Sequence, residues 1–240
     1  MKLLAAFTVP KAQQDPAPNE DADAVSPDGL IAAVSDGASE SYDPALWSRT
    51  LVDSYVREPR FRAAWVEETI RRYEASAKTQ DLPWYAEAAM ERGSFATLLG
   101  IRHRPKDRTA RILAIGDSLA ILADGEQFVS SFPYVEPEQF KENPLLLSTR
   151  RDRNEWPGKR FNTRKCHTVW HLSALKEPRL LLVTDALGAW VLGDRFNRTQ
   201  ALLHLSSHLE FLKLVETSRE SGEMRRDDTT YLMLSEGIVT

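Results

Sequence analysis

Cysteine is almost absent from this sequence, which contains Cys166 alone. No disulfide bond can form within such a chain, and this predicts a protein of the reducing cytoplasm. Long apolar runs are missing too, so the sequence predicts no helix that could cross a membrane. The apolar start, from Met1 to Phe7, is too short for a signal peptide, and we expect it to form the first strand.

An excess of basic residues is also missing, because 31 lysines and arginines are set against 35 aspartates and glutamates, for a formal net charge of -4. This balance argues against a nucleic-acid partner, which would require a basic surface. The sequence has no internal repeats, low-complexity tracts or long linkers. Since 42% of the 240 residues are hydrophobic, the chain can bury a core of its own, and we expect a single domain over residues 1–240.

Hydrophobic periodicity predicts a mixture of strands and helices. Strands are predicted over 3–9, 22–25, 30–35, 179–184 and 229–234, and helices over 44–56, 59–73, 84–92, 186–192, 198–205 and 207–220. Segment 94–132 alternates apolar runs with polar turns, which is typical of a β-meander in an antiparallel sheet. Segment 133–165 is rich in proline and is expected to be irregular. Together these patterns predict an α+β protein.

Carboxylate side chains occur where several predicted strands begin or end. These residues are Asp36 and Asp185 after strands, and Glu20, Asp21, Asp227 and Asp228 before them. A single aspartate at a strand end is ordinary turn chemistry. Several carboxylates that converge on one point repel each other unless a cation lies among them. Because oxygen ligands favour Mg²⁺ or Mn²⁺ over zinc, the pattern favours a site for a hard divalent cation.

Six short motifs follow one another in an order that resembles a known family. They are Asn19-Glu20-Asp21, Val34-Ser35-Asp36-Gly37, Gly93-Ser94-Phe95-Ala96-Thr97, Ile115-Gly116-Asp117-Ser118, Leu182-Val183-Thr184-Asp185 and Arg226-Asp227-Asp228-Thr229-Thr230. Each motif is short, but their order and spacing cover nearly the whole chain. The sequence thereby resembles the metal-dependent serine/threonine protein phosphatases of the PP2C type, and in particular their small stand-alone bacterial members.

The resemblance implies a four-layer α-β-β-α sandwich, with two stacked antiparallel sheets flanked by antiparallel helices. It also implies two bound Mn²⁺ or Mg²⁺ ions and a weak third ion. The residues implied at the metal site are Asp36, which bridges two ions, Gly37 through its carbonyl, Asp185 and Asp227 at the first ion, Glu20 and Asp21 near the second, and Asp117 near the third. Of these, Asp36, Asp185 and Asp227 are the implied catalytic residues.

The implied activity is the hydrolysis of phosphoserine and phosphothreonine in proteins by a metal-activated hydroxide. A phosphorylated protein substrate and a cognate kinase are the implied partners. In the family an arginine shortly before the acidic pair usually holds the substrate phosphate. No arginine precedes Glu20 here, and Lys11, the nearest cation, is predicted to bind the phosphate in its place. Three further positions depart from the family pattern, since Ala186 replaces a glycine, Ala189 replaces an acid, and Asp228 stands where asparagine is common.

The missing arginine favours an alternative, a catalytically weak or inactive regulatory module that binds phosphoproteins. Retention of the three implied catalytic acids, Asp36, Asp185 and Asp227, favours an enzyme instead. Hydrolysis of a small phosphorylated metabolite is a third hypothesis that the sequence leaves open. The basic stretch between 150 and 165 is predicted to be either a solvated loop or a contact surface for a phosphorylated partner. Its residues of interest are Arg150, Arg151, Arg153, Trp156, Lys159, Arg160, Arg164 and Lys165.

Other motifs predict different chemistry less strongly. Gly116-Asp117-Ser118-Leu119 matches an esterase motif, but no Asp-x-x-His follows near the C-terminus. Cys166 lacks the arginine six positions later that a cysteine phosphatase needs, because Leu172 stands there. His204 and His208 have the helical spacing of metal ligands, but no third ligand accompanies them. We therefore expect a turn, an ordinary thiol and two structural or solvent-facing histidines.

Overall fold

A computed structural model describes residues 1–12, 19–77, 84–154 and 163–236. The strands are β1 (Lys2–Val9), β2 (Ala22–Val25), β3 (Ile31–Ser35), β4 (Phe95–Ala96), β5 (Leu98–Arg104), β6 (Thr109–Ile115), β7 (Leu119–Asp124), β8 (Gln127–Phe132), β9 (Leu147–Ser148), β10 (His167–His171), β11 (Pro178–Val183) and β12 (Thr229–Ser235). The α-helices are α1 (Pro44–Arg57), α2 (Ala63–Ser76), α3 (Trp84–Arg92), α4 (Thr163–Cys166), α5 (Asp185–Gly193), α6 (Arg195–Leu203) and α7 (His208–Glu220).

The strands form two five-stranded antiparallel sheets. The first sheet has the order β1-β12-β11-β7-β8, and the second has the order β10-β6-β5-β3-β2. A separate pair, β4 and β9, forms a small two-stranded sheet. Helices α5 to α7 pack on the outer face of the first sheet, and α1 and α2 pack on the outer face of the second. This arrangement confirms the predicted four-layer α-β-β-α sandwich.

The alternation of side chains along β11 explains how the first sheet serves two apolar clusters. Leu180 and Leu182 face the second sheet and pack with residues such as Leu99. Leu181 and Val183 point to the opposite face and pack with the helices α5 to α7. Because successive side chains of a strand alternate between the two faces, a strand covered on both sides is apolar throughout. The uninterrupted apolar run of β11 therefore reflects the position of this strand inside the sandwich.

The predicted meander over 94–132 is wrong in one respect. Strand β5 pairs with β6, and β7 pairs with β8, but β6 and β7 belong to different sheets. Residues 116–118 cross from one sheet to the other, and Gly116 adopts a φ of +94°, which favours glycine. A polar turn between two apolar runs has the same sequence pattern whether the strands pair or separate. The crossing places Asp117 at the junction of the two sheets.

The helix boundaries follow recognisable end signals. Helix α1 begins at the predicted residue, where Pro44 occupies the first turn and the Asp43 carboxylate accepts a hydrogen bond from the Leu46 N–H at 3.2 Å. The sequence did not predict β10, an edge strand whose residues are mostly exposed and therefore form no apolar run. None of the described helices combines the length and apolar character that a bilayer span requires.

Candidate active site

Strand ends from both sheets meet around a cavity of about 160 Å³. Asp36 directly follows β3, Asp117 lies in the crossing between β6 and β7, Asp185 begins α5 after β11, and Asp227 precedes β12. All four line the cavity together with Gly37. Carboxylates from distant parts of the sequence are thus brought to one place.

Thr97, which the sequence singled out only as part of a motif, holds the backbone at Asp36. The Asp36 N–H donates to the Thr97 hydroxyl at 2.9 Å, and the Thr97 N–H donates to the Asp36 carbonyl oxygen at 2.9 Å. The Thr97 and Ser118 hydroxyls lie 2.8 Å apart, which ties this pair to the crossing between the sheets. A contact between residues so far apart in the chain leaves no local pattern, so the sequence could not predict it.

Gly37 lies against backbone on two sides. Its N–H donates to the Glu20 carbonyl oxygen at 3.2 Å. A Cβ atom at this position would lie 2.8 Å from the Pro44 carbonyl oxygen and 2.9 Å from the Glu20 carbonyl oxygen. Neither backbone can move without shifting an element next to the site. Glycine is therefore required here by close approach.

We expect Gly37→Ala to lower the free energy of unfolding by about 1–3 kcal/mol, because overpacking against backbone forces a shift. The same shift should lower any hydrolytic activity, since Asp36 is the neighbouring residue. Gly193→Ala is the matched control, because its Cβ would meet the end of the Arg198 side chain, at 2.8 Å, and no backbone. Urea denaturation of the two variants tests this. Equal losses for both would contradict the explanation.

Asp228 ties together two segments beside the cavity. Its carboxylate accepts hydrogen bonds from the Lys11 N–H at 2.6 Å and from the Glu20 N–H at 2.8 Å, with one oxygen for each. An asparagine has a single side-chain oxygen acceptor and could not accept both in this way. The departure at Asp228 from the asparagine common in the family therefore has a structural explanation.

Lys11 and Glu20 form an ion pair next to the cavity. The Lys11 Nζ lies 2.7 Å from Glu20 Oε2 and 3.0 Å from Ser39 Oγ. Burial lowers the pKa of the Lys11 ammonium, but the hydrogen bond to Glu20 and the nearby carboxylate charges outweigh it, and the pKa is raised. Ser39 lines the cavity, whereas Lys11 and Glu20 are not among the described residues that line it. The phosphate-binding role of Lys11 stays a prediction.

Asp21 is buried beneath this pair. Its Oδ2 accepts a hydrogen bond from the Thr184 hydroxyl at 2.9 Å, while its Oδ1 has no hydrogen-bond partner among the described residues. Burial raises the pKa of the Asp21 carboxyl well above its ordinary value, and hydrogen bonds from Thr230 and Thr184 offset part of that rise. Asp21 is thus buried to a similar extent as Asp117 and Asp185, but it is not among the described residues that line the cavity.

The carboxyl groups around the cavity disfavour each other's charged forms. Burial raises the pKa of Asp36 well above its ordinary value, and the charges of Asp21, Asp185, Asp227 and Asp117 add to the effect. Burial likewise raises the pKa of Asp117 to about 7, with a further contribution from the Asp185 charge. Such mutual repulsion is relieved when a cation lies among the carboxylates.

Arg225 provides one cation at this place. Its guanidinium contacts the Asp185 carboxylate and lies 2.9 Å from Asp227 Oδ2. Burial raises the pKa of Asp185, and the Arg225 charge opposes the rise without cancelling it. The sequence did not identify Arg225, because an arginine beside an acidic motif is equally common on a solvated turn.

The donor atoms at the site fit a hard divalent cation. They are carboxylate and carbonyl oxygens, and two of them, Asp21 Oδ1 and Asp185 Oδ1, are buried without a hydrogen-bond partner among the described residues. Such buried unpaired oxygens are rare in folded proteins, and a cation would satisfy them. Within the described ranges, no three His, Cys, Asp or Glu side chains already form a metal-binding group, and Arg225 instead bridges Asp185 and Asp227.

The basic stretch is divided between different partners. Arg151 forms ion pairs with Glu67 at 2.8 Å and Glu74 at 3.0 Å, both on α2, and Arg150 pairs with Asp152 at 3.1 Å. The Arg151 side chain thus contacts α2 within the fold, which argues against a role in binding a phosphorylated partner. Trp156, Lys159 and Arg160, which the sequence analysis also singled out, lie outside the described residues, as does the side chain of Arg164.

The competing motifs have structural explanations. His204 Nε2 lies 2.7 Å from Glu126 Oε1, whereas His208 Nε2 lies 2.9 Å from the Thr8 carbonyl oxygen. The two histidines therefore serve different contacts. Burial raises the pKa of the Cys166 thiol, which is the reverse of what a nucleophilic cysteine requires.

No protein-family model and no curated protein matches this sequence. Solved structures do match. A bacterial serine phosphatase is 16% identical, with a TM-score of 0.61 over 98% of each chain. The serine/threonine phosphatase PstP/Ppp of Mycobacterium tuberculosis is 18% identical, with a TM-score of 0.59 over 95% of this chain and 96% of that one.

The catalytic domain of PstP in complex with two manganese ions matches with the same TM-score of 0.59, at 18% identity over 95% of each chain. Identities this low compare folds rather than individual residues. Because the matches span nearly all of both chains, the whole sandwich is shared. The chain has the fold of the bacterial serine/threonine phosphatases, as its resemblance to the PP2C type predicted.

Proposed function

We propose that this protein is a metal-dependent phosphatase that hydrolyses phosphoserine and phosphothreonine in proteins. The proposal rests on one observation, the convergence of Asp36, Asp117, Asp185 and Asp227 on a single cavity at the junction of two sheets. The similar fold of a phosphatase with two manganese ions supports a divalent cofactor. In this proposal residues 1–240 act as one phosphatase domain in the cytoplasm, on proteins that a cognate kinase has phosphorylated.

Each predicted site residue has a proposed role toward Mn²⁺ or Mg²⁺. Asp36 would be shared by two ions with help from the Gly37 carbonyl, Asp185 and Asp227 would hold the first ion, Glu20 and Asp21 would support the second, and Asp117 would adjoin a weak third. When bound, the ions supply Lewis acidity that activates water and neutralises charge on the phosphoryl oxygens. The donor chemistry and the unpaired oxygens of Asp21 and Asp185 support these roles.

The chain's own contribution is to hold its carboxylates in place before the substrate arrives. Thr97 fixes the Asp36 backbone from both sides, with two hydrogen bonds of 2.9 Å. The Asp228 carboxylate keeps the Glu20 segment against the end of β12. Lys11 is the proposed phosphate contact at the rim. Such fixed positioning lowers the reorganisation needed during reaction.

Phosphate release from a phosphoserine peptide tests the proposal. We expect release with Mn²⁺, its loss when a chelator is added, and its recovery when Mn²⁺ is returned in excess. A protein that binds the phosphopeptide but releases no phosphate would instead support the regulatory module. Faster hydrolysis of small phosphorylated metabolites than of any phosphopeptide would support the third hypothesis. Release that persists unchanged with chelator would contradict metal-dependent chemistry.

A further inference from the structure

Arg225 has a position that the proposed metal chemistry does not yet explain. It lies between α7 and β12, and it is the one basic residue among the described residues that line the cavity. Its guanidinium bridges Asp185 and Asp227, the two acids proposed to hold the first metal ion. A guanidinium and a divalent ion cannot both occupy the facing oxygens of these carboxylates. The Asp185 Oδ1 atom is open to an ion, but an ion shared by Asp185 and Asp227 repels a guanidinium held between the same two carboxylates. We therefore expect metal binding to displace the guanidinium.

The backbone around Arg225 is anchored, whereas its side chain is accessible. Met224 is buried, and its N–H donates to the Ser218 carbonyl oxygen at 2.9 Å. On the other side, the Asp228 carboxylate is fixed by two backbone N–H groups. The Arg225 side chain is 58% exposed. A displaced guanidinium can thus swing while its Cα atom stays at the cavity rim.

A displaced guanidinium at this rim has few other anions to bind. The nearby carboxylates would be neutralised by the metal, and the Glu20 carboxylate already pairs with Lys11. A phosphate group that enters the same cavity is a suitable partner, because the planar fork of arginine matches phosphate oxygens with two hydrogen bonds. Arginine is also missing from the position where the resembling family usually holds the phosphate.

We propose that Arg225 changes its anionic partner: it pairs with Asp185 and Asp227 in the metal-free protein, and with the substrate phosphate once a metal ion holds those carboxylates. This inference rests on the proposed function. It makes Arg225 both a competitor of the metal and a phosphate contact. The two roles have opposite consequences when the guanidinium is removed.

The first test is calorimetric titration of the metal-free full chain with Mn²⁺. We expect Arg225→Gln to bind the first Mn²⁺ about tenfold more tightly than the unchanged protein, because the ion no longer displaces a half-exposed ion pair. Arg226→Gln is the matched control, since it removes the same charge from an exposed neighbour that does not line the cavity, and we expect little change. Arg225→Lys retains the positive charge but not the planar guanidinium. Its affinity for Mn²⁺ should lie between those of the unchanged protein and Arg225→Gln.

The second test is the binding of inorganic phosphate to the Mn²⁺-saturated protein. Arg225→Gln should weaken phosphate binding about tenfold, as expected for the loss of a charge-assisted contact, and Arg226→Gln should not. The proposal is overturned if Arg225→Gln leaves either affinity within twofold of the unchanged protein, or if Arg226→Gln has the same effects. Neither test needs turnover. A protein that passes both but hydrolyses no phosphopeptide would contradict the proposed function and leave the role of Arg225 standing.

Discussion

Asp36→Asn is expected to lower turnover of a phosphoserine peptide about a thousandfold or more at saturating Mn²⁺, which corresponds to about 4 kcal/mol of transition-state stabilisation. Asp36 lines the cavity, and its pKa is raised by burial and by the charges of four other acids. An amide has one oxygen donor and no charge, so it cannot bridge two cations. Initial rates with peptide and with para-nitrophenyl phosphate measure the loss. Near-normal turnover would show that the metal assignment is wrong.

The same substitution should have the opposite effect on stability without metal. A carboxyl group whose pKa is raised on folding destabilises the folded protein at pH values above its ordinary pKa. Replacing Asp36 by a neutral amide removes that cost, and Tm should rise by about 2–4 °C for each kcal/mol relieved. Asp53→Asn, on the exposed face of α1, is the matched control and should change neither activity nor Tm. A lower Tm for Asp36→Asn would contradict carboxylate repulsion at the site.

Trp47→Ala is expected to lower the free energy of unfolding by about 3–5 kcal/mol, the range for deletion of a large buried aromatic side chain. Trp47 is fully buried between α1 and the second sheet. Its ring packs edge-on against Tyr73 at a centroid distance of 5.5 Å, and its Nε1–H donates to the Leu147 carbonyl oxygen at 2.9 Å. Urea denaturation measures the loss, which is a large part of the stability of a typical domain.

Two milder variants separate packing from hydrogen bonding. Trp47→Phe leaves the buried Leu147 carbonyl without its donor, whereas Trp190→Phe removes an indole N–H that has no partner among the described residues. Both indoles are buried, so the losses of apolar contact are similar. We expect Trp47→Phe to be the more destabilising by about 1–3 kcal/mol. Equal destabilisation would mean that the bond to Leu147 contributes little.

Local sequence patterns predicted the individual strands and helices better than they predicted which strands pair. The runs at β3, β11 and β12 are apolar because both faces of these strands are covered, and the Asp43-Pro44 pair marks the start of α1. The crossing at 116–118 was predicted as a turn within an antiparallel meander, because a turn sequence does not encode which sheet the next strand joins. The edge strand β10 escaped prediction for a related reason, since few of its side chains are buried.

The sequence likewise predicted the carboxylates of the candidate site but not the residues that position them. Carboxylates at strand ends are visible in the sequence, and the structure brings Asp36, Asp117, Asp185 and Asp227 to one cavity. The residues that contact these carboxylates could not be predicted from the sequence. Thr97, which directly precedes the neighbouring strand of the sheet, contacts Asp36, and Arg225 enters the cavity from a turn that looks solvated in the sequence. Long-range hydrogen bonds and ion pairs depend on the packing of whole layers, which no local period records.

The place of β12 in the first sheet has a consequence for biosynthesis. This strand comes after every other described strand, yet it lies between β1 and β11. A nascent chain that has not yet released β12 from the ribosome cannot attach β1 to its sheet, and it still lacks Asp227 and Arg225. The acidic cavity is thus completed only after β12 has left the ribosome. We therefore expect translation products that stop before Arg225 to have no partial function, because the segment from Arg225 through β12 completes both the fold and the cavity.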